Sequence, residues 1–165
     1  MTKAVAAHVE RRTITEVFID PDHAQRKESA QFRKSKERLK EDGHYHCYVC
    51  GSTGNLQVHH RAAEWMFDNV VDYAKLKEFC EEWDIYGYGR LLKSRPIESV
   101  DDIRNQMVLC LKHHVGKGTG IHEMSFPAWI IQKLAKAGAD PVPQAGETVE
   151  QAEEEVKENE TKRGT

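Results

Sequence analysis

No apolar stretch of this chain approaches the roughly 20 residues that a membrane-spanning helix requires, so no such helix is expected and no membrane partner follows from it. The first twenty residues mix charges into every segment and lack the apolar centre of a secretion signal. A soluble, cytoplasmic protein is the expectation. Hydrophobic residues are scarce, at 39% of 165, while charged ones reach 31%. That composition implies one domain with a modest core, much solvated surface and a disordered end. There is no internal repeat. No Ser-His-Asp set or reactive-cysteine arrangement stands out, and Gly116-Lys117-Gly118 lacks the spacing of a nucleotide-binding P-loop.

Nor is there the excess of positive charge that would announce a nucleic-acid partner, since the formal net charge is −3. The deficit is local. Residues 144–165 hold seven Glu against two Lys and one Arg, a net of −4, which leaves +1 for residues 1–143. A near-neutral body neither demands nor excludes a polyanion, because local charge distribution decides binding.

Three segments follow from pattern. Residues 1–43 form an N-terminal extension, with a short strand over Thr13–Ile19 and a helix from His23 to Asp42 that Gly43 stops. That helix carries seven Lys and Arg against four acids, so it is either a solvated helix or one that tracks DNA phosphates. Residues 44–143 form the main domain, interrupted by a helical insertion over 61–104. Within the insertion, Val70, Tyr73, Leu76, Cys80 and Trp83 recur at three- and four-residue steps, which predicts one helix over Glu64–Trp83 with a buried face. Short strands are expected at Leu56–Val58 and Met107–Leu109, and helices near Cys110–Val115 and over Pro127–Ala137. Residues 144–165 form an acidic tail, expected to be disordered. The fold class is α+β.

Four cysteines would suffice for two disulfides, but their placement points elsewhere. Cys47 and Cys50 form a Cys-x2-Cys pair, and Cys110 stands in the same spacing before His113. Each such pair can clasp one edge of a tetrahedron, which suits a structural Zn(II). Cys80 stands alone in a helical pattern and reads as a buried small hydrophobe. Two histidine doublets adjoin the clamp, His59-His60 at a strand end and His113-His114 after the other strand. Neutral imidazoles can hold a divalent cation beside phosphate oxygens, and one imidazole can take a proton from water near pH 7.

The run Cys47-Tyr-Val-Cys50-Gly51, then Leu56-Gln-Val-His59-His60, then Asn105-Gln-Met-Val-Leu-Cys110-Leu-Lys-His113-His114 resembles an HNH endonuclease with a ββα-metal finger. The likeness covers about residues 43–129. The later run from His114 through His122 to Trp129 resembles HNH proteins of bacteriophages and prophages, which would place the protein in a bacterial host cell. The resemblance implies that His60 is the general base that activates water, and that His59 and His114 bind a catalytic Mg(II), with Mn(II) or Ni(II) as alternatives. It implies that Asn105 orients His60 and holds the loop geometry, and that the products carry a 5′-phosphate and a 3′-hydroxyl.

The chain departs from the family in three places. Gly118 stands where a second helix histidine is common, and His122 replaces it only if the glycine-rich loop folds back, with Glu123 as a neighbouring alternative. The fourth zinc ligand is His113 where many members have Cys. The gap from His60 to Asn105 is long, at 44 residues. Arg61 and Lys117 are candidate phosphate contacts, and a solvated loop is the other reading of Lys117. The expected function is metal-dependent cleavage of double-stranded DNA. The alternative is a zinc-stabilised nucleic-acid-binding module without cleavage, and a protein partner or a homodimer remains open.

Overall fold

The computed structural model describes residues 12–14, 27–68, 71–126, 129, 133, 148, 151 and 154. Most of the expected strand over 13–19, the first residues of the expected helix at 23–26, nearly all of the helix over 127–137 and nearly all of the tail over 144–165 lie outside them. The fold is mixed α+β, with helices and one two-stranded sheet. No described helix is long and apolar enough to cross a membrane.

The described residues fall into two compact units. One takes those within Val17–His46 and Leu56–Val108, and the other those within Met1–Glu16, Cys47–Asn55 and Leu109–Thr165. In the first unit, helix α1 (Ala30–Glu41) starts where the Ser29 hydroxyl accepts the Phe32 amide, and it buries Phe32, Ser35 and Leu39. Leu39 joins Tyr88, Ile103 and Val108 in a core that Tyr45, Leu56, Val58, Tyr86 and Leu92 surround. A second cluster holds Leu76, Cys80 and Ile97. Cys80 is fully buried and without a disulfide, and burial pushes its thiol up.

Strands β1 (Leu56–His60) and β2 (Gln106–Cys110) pair. The Arg61 amide donates to the Asn105 carbonyl at one end, and the Leu111 amide donates to the Asn55 carbonyl at the other. Numbers rise along one strand as they fall along the other, so the pairing is antiparallel.

The single helix expected over Glu64–Trp83 is not present. Its place is taken by a 3-10 turn at Trp65–Phe67 and by helix α2 (Tyr73–Glu82). Apolar periodicity runs through the break because aspartates make it. The Asp72 carboxylate accepts the Ala74 and Lys75 amides and starts α2, while Asp68 accepts the Tyr73 hydroxyl and the Val100 amide. A short helix α3 (Tyr88–Leu91) follows, its Gly89 and Arg90 amides accepted by the Asp84 carboxylate. A second 3-10 turn, Ile103–Asn105, is capped by Asp102, whose carboxylate accepts the Arg104 amide. Helix α4 (Leu111–Val115) follows β2 directly.

Candidate functional site

Cys47, Cys50, Cys110 and His113 converge, with their ligand atoms all within 4.8 Å of one another. Local structure explains why. The Gly51 amide returns to the Cys47 carbonyl at 2.8 Å, and the Cys47 amide donates to the Ser52 carbonyl at 2.8 Å. This tight knuckle needs the left-handed φ of +73° that Gly51 supplies. Cys110 stands at the N-cap position of α4, leaving its sulfur free of any capping bond, and His113 lies three residues on. The Trp129 indole donates to the His113 carbonyl at 2.9 Å and is itself fully buried.

The distances suit a tetrahedral ion. Two sulfurs on one zinc with bonds of about 2.3 Å stand about 3.8 Å apart, and a sulfur and an imidazole nitrogen about 3.5 Å. Here Cys50 and Cys110 Sγ are 3.9 Å apart, and His113 Nδ1 lies 3.5 Å from Cys47 Sγ and 3.3 Å from Cys110 Sγ. Burial pushes the Cys47 thiol up, but hydrogen bonds from His113 and the neighbouring backbone outweigh it and bring it down to about 6. Burial and the adjacent thiolates push Cys50 up to about 11. Sulfurs this close resist carrying charge together unless a cation compensates them. The cluster is therefore compatible with a structural metal ion such as Zn(II), bound by residues from the knuckle and from the start of α4.

A second group of imidazoles lies on the other side of α4. Neighbouring helical residues point about 100° apart, so His113 turns to the sulfurs while His114 turns away. The segment Gly116–Gly120 then folds back on the helix. The Thr119 and Gly120 amides donate to the Gly116 carbonyl, the Ile121 amide donates to the His113 carbonyl, and the His122 amide donates to the His114 carbonyl. The buried Thr119 hydroxyl donates to the Lys112 carbonyl at 2.8 Å. This return places His122 Nε2 3.2 Å from His114 Nε2. A Cβ at position 116 would sit 2.3 Å from the Lys112 carbonyl oxygen, and one at 120 would sit 2.7 Å from the His114 carbonyl oxygen. The glycines are thus what permits the fold-back, and the loop supplies the histidine that Gly118 does not. Glu123 is exposed and stands outside the cluster of ligand atoms. Lys117 is exposed in the loop.

In the other unit, His59 and His60 are consecutive on β1, so their side chains take opposite faces. His59 Nε2 lies 3.6 Å from the Glu64 carboxylate. His60 Nε2 lies 2.8 Å from Asp101 Oδ1, and its ring packs against Phe32 with centroids 5.4 Å apart. The Ser35 hydroxyl donates to the Asp101 carbonyl, which ties α1 to the same pair.

Asn105, fully buried, uses its whole amide on the backbone. Its oxygen accepts the Ala62 and Ala63 amides, and its nitrogen donates to the Ala63 and Val100 carbonyls. It staples the chain that follows His60, while the His60 ring itself meets Asp101. No family model, no curated protein and no solved structure matches this chain.

Arg61 requires a correction. Expected to meet phosphate, it is only 8% exposed. Its guanidinium donates to the Arg104 and Cys80 carbonyls and lies 4.8 Å from the Trp83 ring centroid. It is an internal brace. Sequence reasoning did not identify Asp101 as a partner of His60. Nothing in the local pattern joins the two, since Asp101 stands 41 positions from His60.

Proposed function

We propose that this protein is a metal-dependent HNH endonuclease that hydrolyses phosphodiester bonds of double-stranded DNA. The observation that carries the reading is the His114–His122 pair. Two nitrogens on one divalent cation, with bonds of about 2.1 Å, stand about 3.0–3.4 Å apart, and these stand 3.2 Å apart. His122 is exposed and His114 half-buried, whereas three of the four residues of the Cys and His cluster are buried. A closed thiolate site beside an open imidazole site matches the division between structural and catalytic metals. The sequence resemblance gives His59 the third ligand position.

A bound divalent ion would polarise the scissile phosphate and offset its developing charge. The chain's own residues do the rest. An ionised Asp101 carboxylate can only accept, so the His60 hydrogen sits on Nε2 and Nδ1 is left to take a proton. Water oxygen attacks phosphorus, its proton passes to His60 Nδ1, and the bond to the 3′ oxygen breaks as that oxygen takes a proton from solvent water to leave as the hydroxyl. Asn105 holds the 62–63 backbone, which fixes the end of β1 that carries His60.

End-group analysis of a labelled duplex treated with the zinc-loaded chain and Mg(II) tests the reading. Products with 5′-phosphate and 3′-hydroxyl ends are expected. An intact duplex that the chain nonetheless binds would favour the alternative, a zinc-stabilised binding module.

A further inference from the structure

The insertion between His60 and Asn105 contains an arginine whose role is not catalytic. Arg104 is 3% exposed, and all five of its N–H groups are used. Nε and Nη2 grip the Asp102 carboxylate at 2.8 and 2.9 Å. Nη1 donates to the Leu92 and Arg95 carbonyls at 3.2 and 2.8 Å, and Nη2 donates to the Pro96 carbonyl at 2.8 Å. A buried ion pair is a weak source of stability in itself, because desolvation offsets the attraction. This one fixes the shape of a surface loop, 92–96, through three of its carbonyls.

What the loop presents is positive. Arg90, Lys93 and Arg95 are all exposed. Backbone turns order the segment from Leu91 onward, since the Leu91, Leu92 and Arg95 amides donate to the Gly87, Tyr88 and Leu92 carbonyls. Over residues 85–99 the sole acid is Glu98, and the Asp84 carboxylate just before is engaged with the Gly89 and Arg90 amides. Three other cations of this unit are paired with carboxylates, Lys36 with Glu28, Arg38 with Asp42 and Lys77 with Glu81.

We infer that Arg90, Lys93 and Arg95, held on the backbone that Arg104 clamps, form a phosphate-contact surface for duplex DNA. The choice of DNA rests on the nuclease reading, while the rigid basic surface is independent of it. Cations on a fixed backbone lose little further freedom when they meet a polyanion, and their contacts position the duplex without reading its sequence.

The test measures affinity of the full zinc-loaded chain for a short DNA duplex across a salt series, with Ca(II) in place of Mg(II). Each phosphate contact contributes about 0.9 to the slope of log affinity against log salt. Arg90→Gln/Lys93→Gln/Arg95→Gln is expected to reduce that slope by about 2 to 3 and weaken binding at least about tenfold at moderate salt. Lys27→Gln/Lys34→Gln/Lys75→Gln removes the same charge from other exposed positions and is expected to leave the slope within about one of wild type. An unchanged slope in the first variant, from a chain that cleaves DNA, overturns the surface and leaves the nuclease reading intact. A reduced slope from a chain that cleaves nothing supports the surface and removes the nuclease. Equal losses in both variants, or tighter patch-dependent binding to duplex RNA, overturn the inference.

Discussion

Asp101 Oδ1 lies 2.8 Å from His60 Nε2, joining the residue before the Ile103–Asn105 turn's cap to the last residue of β1. Asp101→Ala leaves a buried imidazole without its acceptor and is expected to cost about 1–3 kcal/mol of stability. Cleavage should fall with it. Asp101→Asn keeps an acceptor oxygen and should retain more of both. Urea unfolding and cleavage rates on the two variants check this, and equal activity in Asp101→Ala and wild type would remove Asp101 from the mechanism.

The glycine loop makes a sharper distinction. Gly116→Ala places a Cβ 2.3 Å from a backbone oxygen, so the fold-back has to shift. Gly118, at φ +68°, has open space around a Cβ, and Gly118→Ala should cost only about 1 kcal/mol of backbone strain. Calorimetric titration of Mn(II) into zinc-loaded protein should show binding lost or much weakened in Gly116→Ala and nearly kept in Gly118→Ala. Zinc content should be the same in both.

Cys110→Ser removes a sulfur that lies 3.9 Å from Cys50 and 3.3 Å from His113. A structural ion bound there would contribute several kcal/mol to folding. The variant is expected to purify with less than one equivalent of zinc and to melt well below wild type. Chelator treatment of wild type should reproduce that melting curve, and an unchanged curve would separate the cluster from stability.

A pH effect follows from Asp42. The Tyr88 hydroxyl donates to its carboxylate at 2.7 Å, and with Arg38 beside it this holds the carboxyl below its ordinary 3.8. A depressed carboxylate pKa contributes stability above that ordinary value and loses it as pH falls through the lower folded value. Tyr88→Phe should therefore melt below wild type at neutral pH, and the gap from this contact should narrow below about pH 4. Melting curves of the two proteins across pH measure it. A gap that widens on acidification would contradict the assignment.

What could be read from the sequence divides along physical lines. The Cys47–Cys50 and Cys110–His113 spacings were legible because metal coordination restricts spacing, and both strands because each is a short run carrying apolar residues that ends at a histidine or a cysteine. The partition of the insertion was not. Periodicity at Tyr73, Leu76 and Cys80 continues the pattern of Val70, while the break depends on what the Asp68 and Asp72 side chains accept. Arg61 misled because a guanidinium's partners here are carbonyls of Cys80 and Arg104, which carry no side-chain signature. The place of His122 turned on whether Gly116 and Gly120 allow the close approach that only the folded backbone reveals.

The most direct test of the nuclease reading is incubation of supercoiled plasmid with Mg(II) or Mn(II) and either wild type or His60→Ala, at matched zinc content. Nicked or linear product from wild type alone is the result this account predicts. An intact plasmid with folded, zinc-loaded wild type across both metals, or equal cleavage by the two proteins, would contradict it.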